Sequence, residues 1–324
     1  MQQHEVTERD VRLAKERIAS LVTRTPLLRS RPLSQRIGAP VYLKLENLQD
    51  TASFKIRGAA NRVLTLAPED KERGVVTIST GNHGRAMSYV AQRLDVRAVI
   101  CIPEGTARNK VEAMERLGAE IVVTGKTYDE AEDGALQLAR DRGLSFISAY
   151  DEAVVIAGQG TVGLEILEDL PDVGAVIVPV GGGGLISGIA LAVKAAAADK
   201  RVIGVSMDRA PVMYHSLKAG HAVRMEEEKT LADALVGGIG EDNQHTLRMM
   251  QELVDDFVLV SDEEIAEAMV FALREHRLVV EGGGAVGIAA VLSGKVREVE
   301  GSVAVVVSGG NVDLPLLFGL AQDG

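Results

Sequence analysis

One lysine and three glycine-rich stations, taken in order along the chain, are the residues with chemistry to offer. Lys55 stands in Thr51-Ala52-Ser53-Phe54-Lys55-Ile56-Arg57-Gly58. Downstream come Ser79-Thr80-Gly81-Asn82-His83, the run Gly181 to Gly184, and Ser308-Gly309-Gly310-Asn311. A buried lysine amine can shed its proton and condense with an aldehyde. Glycines let the backbone close on a phosphate, and a helix start offers free N–H groups and a favourable dipole. The set suits a phosphorylated aldehyde tethered to Lys55. Taken singly, each part has a plainer reading: a solvated lysine, N-capping by Ser, Thr or Asn, a strand-to-helix turn, a strand-end serine. Four consecutive glycines exceed what a turn needs.

The elements that must position these residues follow from periodicity. Val75–Ile78, Ala98–Ile102, Ile121–Val123, Ala175–Val178, Val202–Val205 and Val303–Val307 are apolar runs that predict buried parallel strands. Amphipathic segments between them, such as Ala107 to Leu117 and Ser261 to Arg274, predict helices. The pattern is α/β, parallel sheets flanked by helices. Two strand clusters are visible, at residues 74–148 and 174–308, with no linker or repeat between them. The asparagine station and the glycine run each follow a strand and open a helix, and Ser308 ends the last strand.

Bulk properties exclude several function classes. The 324 residues allow one large or two medium domains, and 46% hydrophobic content with 3% aromatics implies aliphatic cores. A net charge of −11 argues against a nucleic-acid partner. The single cysteine, Cys101, rules out an intramolecular disulfide and fits a reducing compartment. No apolar run approaches the roughly 18 residues that span a bilayer, and the start carries no signal pattern. A cytoplasmic protein without a membrane partner is expected. Three motifs are decoys. Gly158-Gln159-Gly160-Thr161-Val162-Gly163 fits the dinucleotide pattern but does not directly follow a strong strand. Gly125-Lys126-Thr127 lacks the earlier glycine of a phosphate loop, having Glu120 there, and Glu226-Glu227-Glu228 reads as a solvated face.

Lys55 and the three stations, in order, resemble the fold-type-II pyridoxal-phosphate enzymes, specifically the threonine/serine dehydratase and serine racemase family, from about Thr25 to Asp313. The resemblance implies a two-domain, tryptophan synthase β-like fold. A large cofactor-binding domain would comprise residues 1–69 and 150–324 and a small substrate-side domain residues 70–149, with pyridoxal 5′-phosphate in the cleft between them. Lys55 would carry the cofactor, and Phe54, Leu185 and Gly181, Gly182, Gly183 and Gly184 would contact it. Asn82 would meet the ring hydroxyl, Ser308 the pyridine nitrogen, and Glu281 would lie near the ring. Ser79, Thr80, Gly81 and His83 would surround an amino-acid substrate. A neutral serine cannot hold the ring nitrogen protonated as an aspartate would, which suits reactions whose carbanion is relieved quickly, such as loss of a β-hydroxyl. A homodimer or higher homo-oligomer is expected.

Several positions depart from the family pattern. Gly282 follows Glu281 where the family usually has proline. Arg85 stands where dehydratases more often carry small or amide side chains, which makes it a candidate substrate-binding residue. Ser206-Met207-Asp208 and Val212 occupy positions where the family often supplies acidic ligands, and hard cations need oxygen donors, so no metal site is expected. The stretch Ser79 to Ala86, Gly204 to Met207, and Thr230-Leu231-Ala232-Asp233-Ala234-Leu235 to Gly240 resemble the hydroxyectoine-utilisation dehydratases. Hydroxyectoine is a cyclic amidine with no free primary amine, so an opened-ring derivative is the easier substrate.

The expected activity is elimination of water from a β-hydroxy amino acid by a catabolic-type dehydratase, with Lys55 as general base. A serine-racemase-type enzyme is the alternative, and there Thr80 would be the second acid/base. The resembling racemases carry a serine at that position. An amino-acid- or nucleotide-binding module without catalysis explains the glycine loops but gives Lys55 no role.

Overall fold

The structure, a computed structural model, describes residues 5–297 and 299–323. Its ten strands are β1 (Leu27–Ser30), β2 (Val41–Leu45), β3 (Val75–Ile78), β4 (Ala98–Ile102), β5 (Glu120–Val123), β6 (Ser145–Phe146), β7 (Val173–Pro179), β8 (Arg201–Met207), β9 (Asp256–Val260) and β10 (Ser302–Val307). They form two sheets. The larger runs β1-β2-β10-β7-β8-β9 and the smaller β5-β4-β3-β6. Among the described residues every strand pairing within these sheets is parallel except β1 with β2.

The six strands read from apolar runs are present, within two residues at each end. β1, β2, β6 and β9 are not legible from those runs: β1 is only partly buried and β6 is two residues long. The expected helices occur as Arg108–Glu115 and Asp262–His276. The second is well specified locally. Ser261 and Glu264 form a reciprocal capping box, acids fill the first turn, and Arg274 and His276 the last.

The larger sheet is buried on both faces, and the period-two alternation of its strands divides its core. Val303, Val305 and Val307 face a layer built on helices Asp262–His276 and Gly282–Leu292. Ala304 and Val306 face the layer that includes helices Ala153–Asp169 and Gly184–Ala196. In parallel sheets of this kind, ligand sites form beyond the carboxyl ends of the strands. The loops after β3, β7 and β10 begin at Ser79, Val180 and Ser308, so all three stations emerge at that edge.

The decoy Gly158 to Gly163 lies inside the helix Ala153–Asp169. A Cβ at Gly158 would stand 2.6 Å from the Arg57 carbonyl, and one at Gly160 2.8 Å from that of Gly188. These glycines let three helices pack at close range. Cys101 is fully buried in β4.

Candidate active site

One cavity of about 610 Å³ takes in residues of both sheets' loops, and every residue singled out above for chemistry lines it: Phe54, Lys55, Ser79 to His83, Arg85, Gly181 to Leu185, Glu281 and Ser308. Lys55 opens the helix Lys55–Leu64. The loop before it is pinned to the third station, because Phe54 N–H donates to the Ser308 carbonyl over 3.0 Å and Ser53 bridges Gly309. Lys55 Nζ donates to the Ala149 carbonyl at 2.9 Å and lies 5.3 Å from the centre of the Phe54 ring. Burial pulls its pKa down to about 8, so a useful fraction is neutral near physiological pH.

The glycine run caps the helix Gly184–Ala196, with Gly183 in the left-handed region at φ +88°. A Cβ on Gly182 would collide with the Tyr150 ring, and one on Gly184 would stand 2.7 Å from the Tyr150 carbonyl. The result is a cradle of bare backbone at a helix N-terminus, which fits a phosphate. Tyr150 braces it from outside, and burial pushes its phenol well above the ordinary value.

The asparagine station opens the helix Asn82–Leu94, and Ser79 Oγ accepts the Gly81 N–H at 3.1 Å. Asn82 Nδ2 donates to Glu281 Oε1 at 2.6 Å, while Asn82 Oδ1 accepts from Asn311 Nδ2 at 2.7 Å. Asn311 N–H donates to Glu281 Oε2 at 3.0 Å, and Arg85 donates to Asn311 Oδ1. Burial pushes Glu281 up to about 7, against the bonds from Asn82 and Asn311. His83 is buried, and neither ring nitrogen makes a well-formed hydrogen bond. Burial, then the charge of Lys55, depress it to about 3, so its imidazole is neutral.

A ligand with an aldehyde, a phosphate, an aromatic ring and a basic ring nitrogen fits this donor set. It would find an amine, a bare cradle, the Asn82 amide and the Ser308 hydroxyl, which reaches only the Gly283 carbonyl, at 3.5 Å. Asn311, Tyr150 and the segment Leu231 to Gly238 apart from Ala232 also line the cavity, and none was singled out as a site residue from sequence. Asn311 had a signal, since it closes the third station. Gly282 has a physical reason as well: any Cβ there would run into the Leu231 carbonyl of that segment.

Among the described residues no group of three or more His, Cys, Asp or Glu is placed to hold a metal ion. Ser206 Oγ instead donates to the Val180 carbonyl at 2.8 Å.

Residues 18–309 match the family of pyridoxal-phosphate dependent enzymes. A Sinorhizobium fredii protein provisionally named a threonine dehydratase is 50% identical over 303 residues, 94% of this chain and 91% of that protein. An L-threonine ammonia-lyase of Thermotoga maritima is 42% identical over 320 residues, 98% of this chain and 79% of that one. The maize serine racemase structure superposes with a TM-score of 0.92 at 34% identity, covering 99% of this chain and 98% of the other.

Proposed function

Because this chain belongs to the pyridoxal-phosphate-dependent enzyme family, we propose that it is a dehydratase eliminating water from a β-hydroxy amino acid of the threonine or serine kind. Its fold is type II and its cofactor pyridoxal 5′-phosphate. The observation that carries the reading is Lys55, an amine of lowered pKa on the wall of a cavity that also holds three strand-end stations of backbone N–H groups. The relatives named for threonine support the substrate class.

The bound cofactor supplies an electron sink for a carbanion at the substrate's α-carbon. The chain does the rest. Gly181 to Gly184 hold the phosphate and Asn82 and Ser308 orient the ring. The N–H groups at Ser79 to Asn82 receive the substrate carboxylate. Lys55 Nζ would hold the cofactor's aldehyde carbon and, once the substrate amine had displaced it, its free amine would take the α-proton as general base. The β C–O bond breaks as the hydroxyl takes up a proton, so that the α-proton and the hydroxyl are lost together as water, and addition of one water to the resulting imine yields an oxo-acid and ammonia. Residues 1–69 and 150–324 as cofactor domain, residues 70–149 as substrate domain, a homo-oligomeric assembly and a cytoplasmic location belong to the same reading. No helix among the described residues is long and apolar enough to cross a membrane.

Two finer readings have their own support. Thr80 lines the cavity and offers a hydroxyl, as a racemase would need from a second acid/base. Thr230 to Gly238, part of the stretch that resembles the hydroxyectoine-utilisation branch, also line it, apart from Ala232. The test is oxo-acid release from a panel of β-hydroxy amino acids, namely threonine, serine, 3-hydroxyaspartate and ring-opened hydroxyectoine derivatives, with α-proton exchange in deuterated water followed alongside. Release from none of the panel overturns the dehydratase reading, and exchange with inversion but no release replaces it with the racemase.

A further inference from the structure

The cations of the cavity are not treated alike. Lys110 is ion-paired to Asp233 at 2.7 Å. Lys55 has its chemistry. Arg85, half-buried on the same wall, has no carboxylate within ion-pair range among the described residues, and its hydrogen bond goes to a neutral amide oxygen, that of Asn311. A guanidinium has five N–H donors in a planar fork that matches a carboxylate. Arg57, which is fully buried, has that fork filled by Glu46 and Glu165.

Position says which ligand group could fill it. Arg85 follows Asn82 by three residues on one helix, so the two share a face. Asn311 ties them together, since it accepts from Arg85 and donates to Asn82. The phosphate cradle is a separate station at the start of another helix. The N–H groups at the start of Arg85's own helix already suit the α-carboxylate. Arg85 is therefore surplus to an uncharged amino acid.

We infer that Arg85 is a specificity-determining residue that binds a second carboxylate on the substrate, so that the preferred substrate is an acidic β-hydroxy amino acid of the 3-hydroxyaspartate kind. The inference rests on the dehydratase reading for the reaction but not for the binding. A ring-opened hydroxyectoine derivative brings a second nitrogen rather than a second acid, and Arg85 disfavours it.

The test uses the cofactor-loaded protein. Binding of aspartate, asparagine and alanine, as both enantiomers, is measured by calorimetry on wild type, Arg85→Gln and Arg85→Lys. A charge-assisted fork is expected to favour aspartate over asparagine by about tenfold to a hundredfold in wild type. Arg85→Gln should erase that ratio and Arg85→Lys keep part of it. In parallel, the ratio of kcat/KM for 3-hydroxyaspartate over threonine should collapse in Arg85→Gln by a similar factor. Asparagine binding as tightly as aspartate overturns the inference, as does absence of binding by all three. An equal loss on every ligand also overturns it, because Arg85 would then be a strut for Asn311. If the binding ratios hold while no substrate releases oxo-acid, the dehydratase reading fails and the acid-binding role stands.

Discussion

Two clusters of buried charge flank Lys55, and they are built on opposite principles. On one side Arg57, Glu46, Glu165 and Lys44 form a closed network. Arg57 makes paired contacts of 2.7 to 2.9 Å to both carboxylates, Lys44 bonds Glu165 at 2.6 Å, and Thr161 and Gln49 take up further lone pairs and donors. Burial raises the Glu46 pKa, but Arg57 outweighs it and holds the carboxyl below its usual range. The two cations and two anions balance. On the other side, in the cavity, Lys55 has a single carbonyl, His83 no well-formed bond, and Glu281 only amide donors. Each is driven toward its neutral form. Saturated charges lock helix Lys55–Leu64 onto helix Ala153–Asp169, whereas unsaturated groups stay available to a ligand. A perturbed group in a cleft marks function more reliably than a buried ion pair does.

The contrast breaks most sharply at Lys55. Lys55→Ala should abolish turnover and the borohydride-reducible adduct while leaving the fold intact, as read by circular dichroism. Near wild-type turnover would sink the assignment. Arg57→Met should do the reverse. It leaves buried Glu46 without an ion-pair partner and Glu165 with Lys44 alone, and is expected to cost about 3–5 kcal/mol in denaturant unfolding. A small loss would mean that the network tolerates rearrangement.

Glu281 sharpens the comparison through pH. Its folded pKa of about 7 stands above the ordinary 4.5, so the folded state holds the proton more tightly. The stability that Glu281 contributes is present below about pH 4.5 and lost as pH rises through about 7. In cofactor-stripped protein, Glu281→Gln should therefore gain on wild type across that window, by roughly 3 kcal/mol, and level off above it. A flat difference would show that Glu281 holds its proton no more tightly in the folded state than in the unfolded one. Gly183→Val should weaken cofactor binding by well over tenfold, or about 1.4 kcal/mol, because φ +88° and the Met213 and Thr246 side chains leave a Cβ no room. Unchanged affinity would contradict the cradle. The smallest effect is expected from chelation, which should leave most activity intact. Full loss, restored by magnesium or calcium, would mean that ligands other than Ser206 and Val212 build a metal site.

The chemistry-bearing residues, and the strands that end beside them, are legible in the amino-acid sequence. Lys55, the glycine run and the asparagine loop carry local signals, because backbone cradles and helix starts are specified by consecutive residues. The buried strands were legible for the same reason, from unbroken aliphatic runs. Which charged side chains are structural and which are open depends on the packing of the folded chain. Arg57 and Arg85 are both arginines in the first turns of helices that border the cavity, and their sequence neighbourhoods do not separate them. Arg57 meets Glu165, 108 residues away, and Arg85 meets Asn311, 226 residues away. Tyr150 likewise braces the cradle only because a loop from the small sheet crosses the start of helix Gly184–Ala196. Such partners are set by how sheets and helices pack. In the low-dielectric interior, the presence or absence of one distant carboxylate decides whether a buried charge is satisfied or waiting for a ligand.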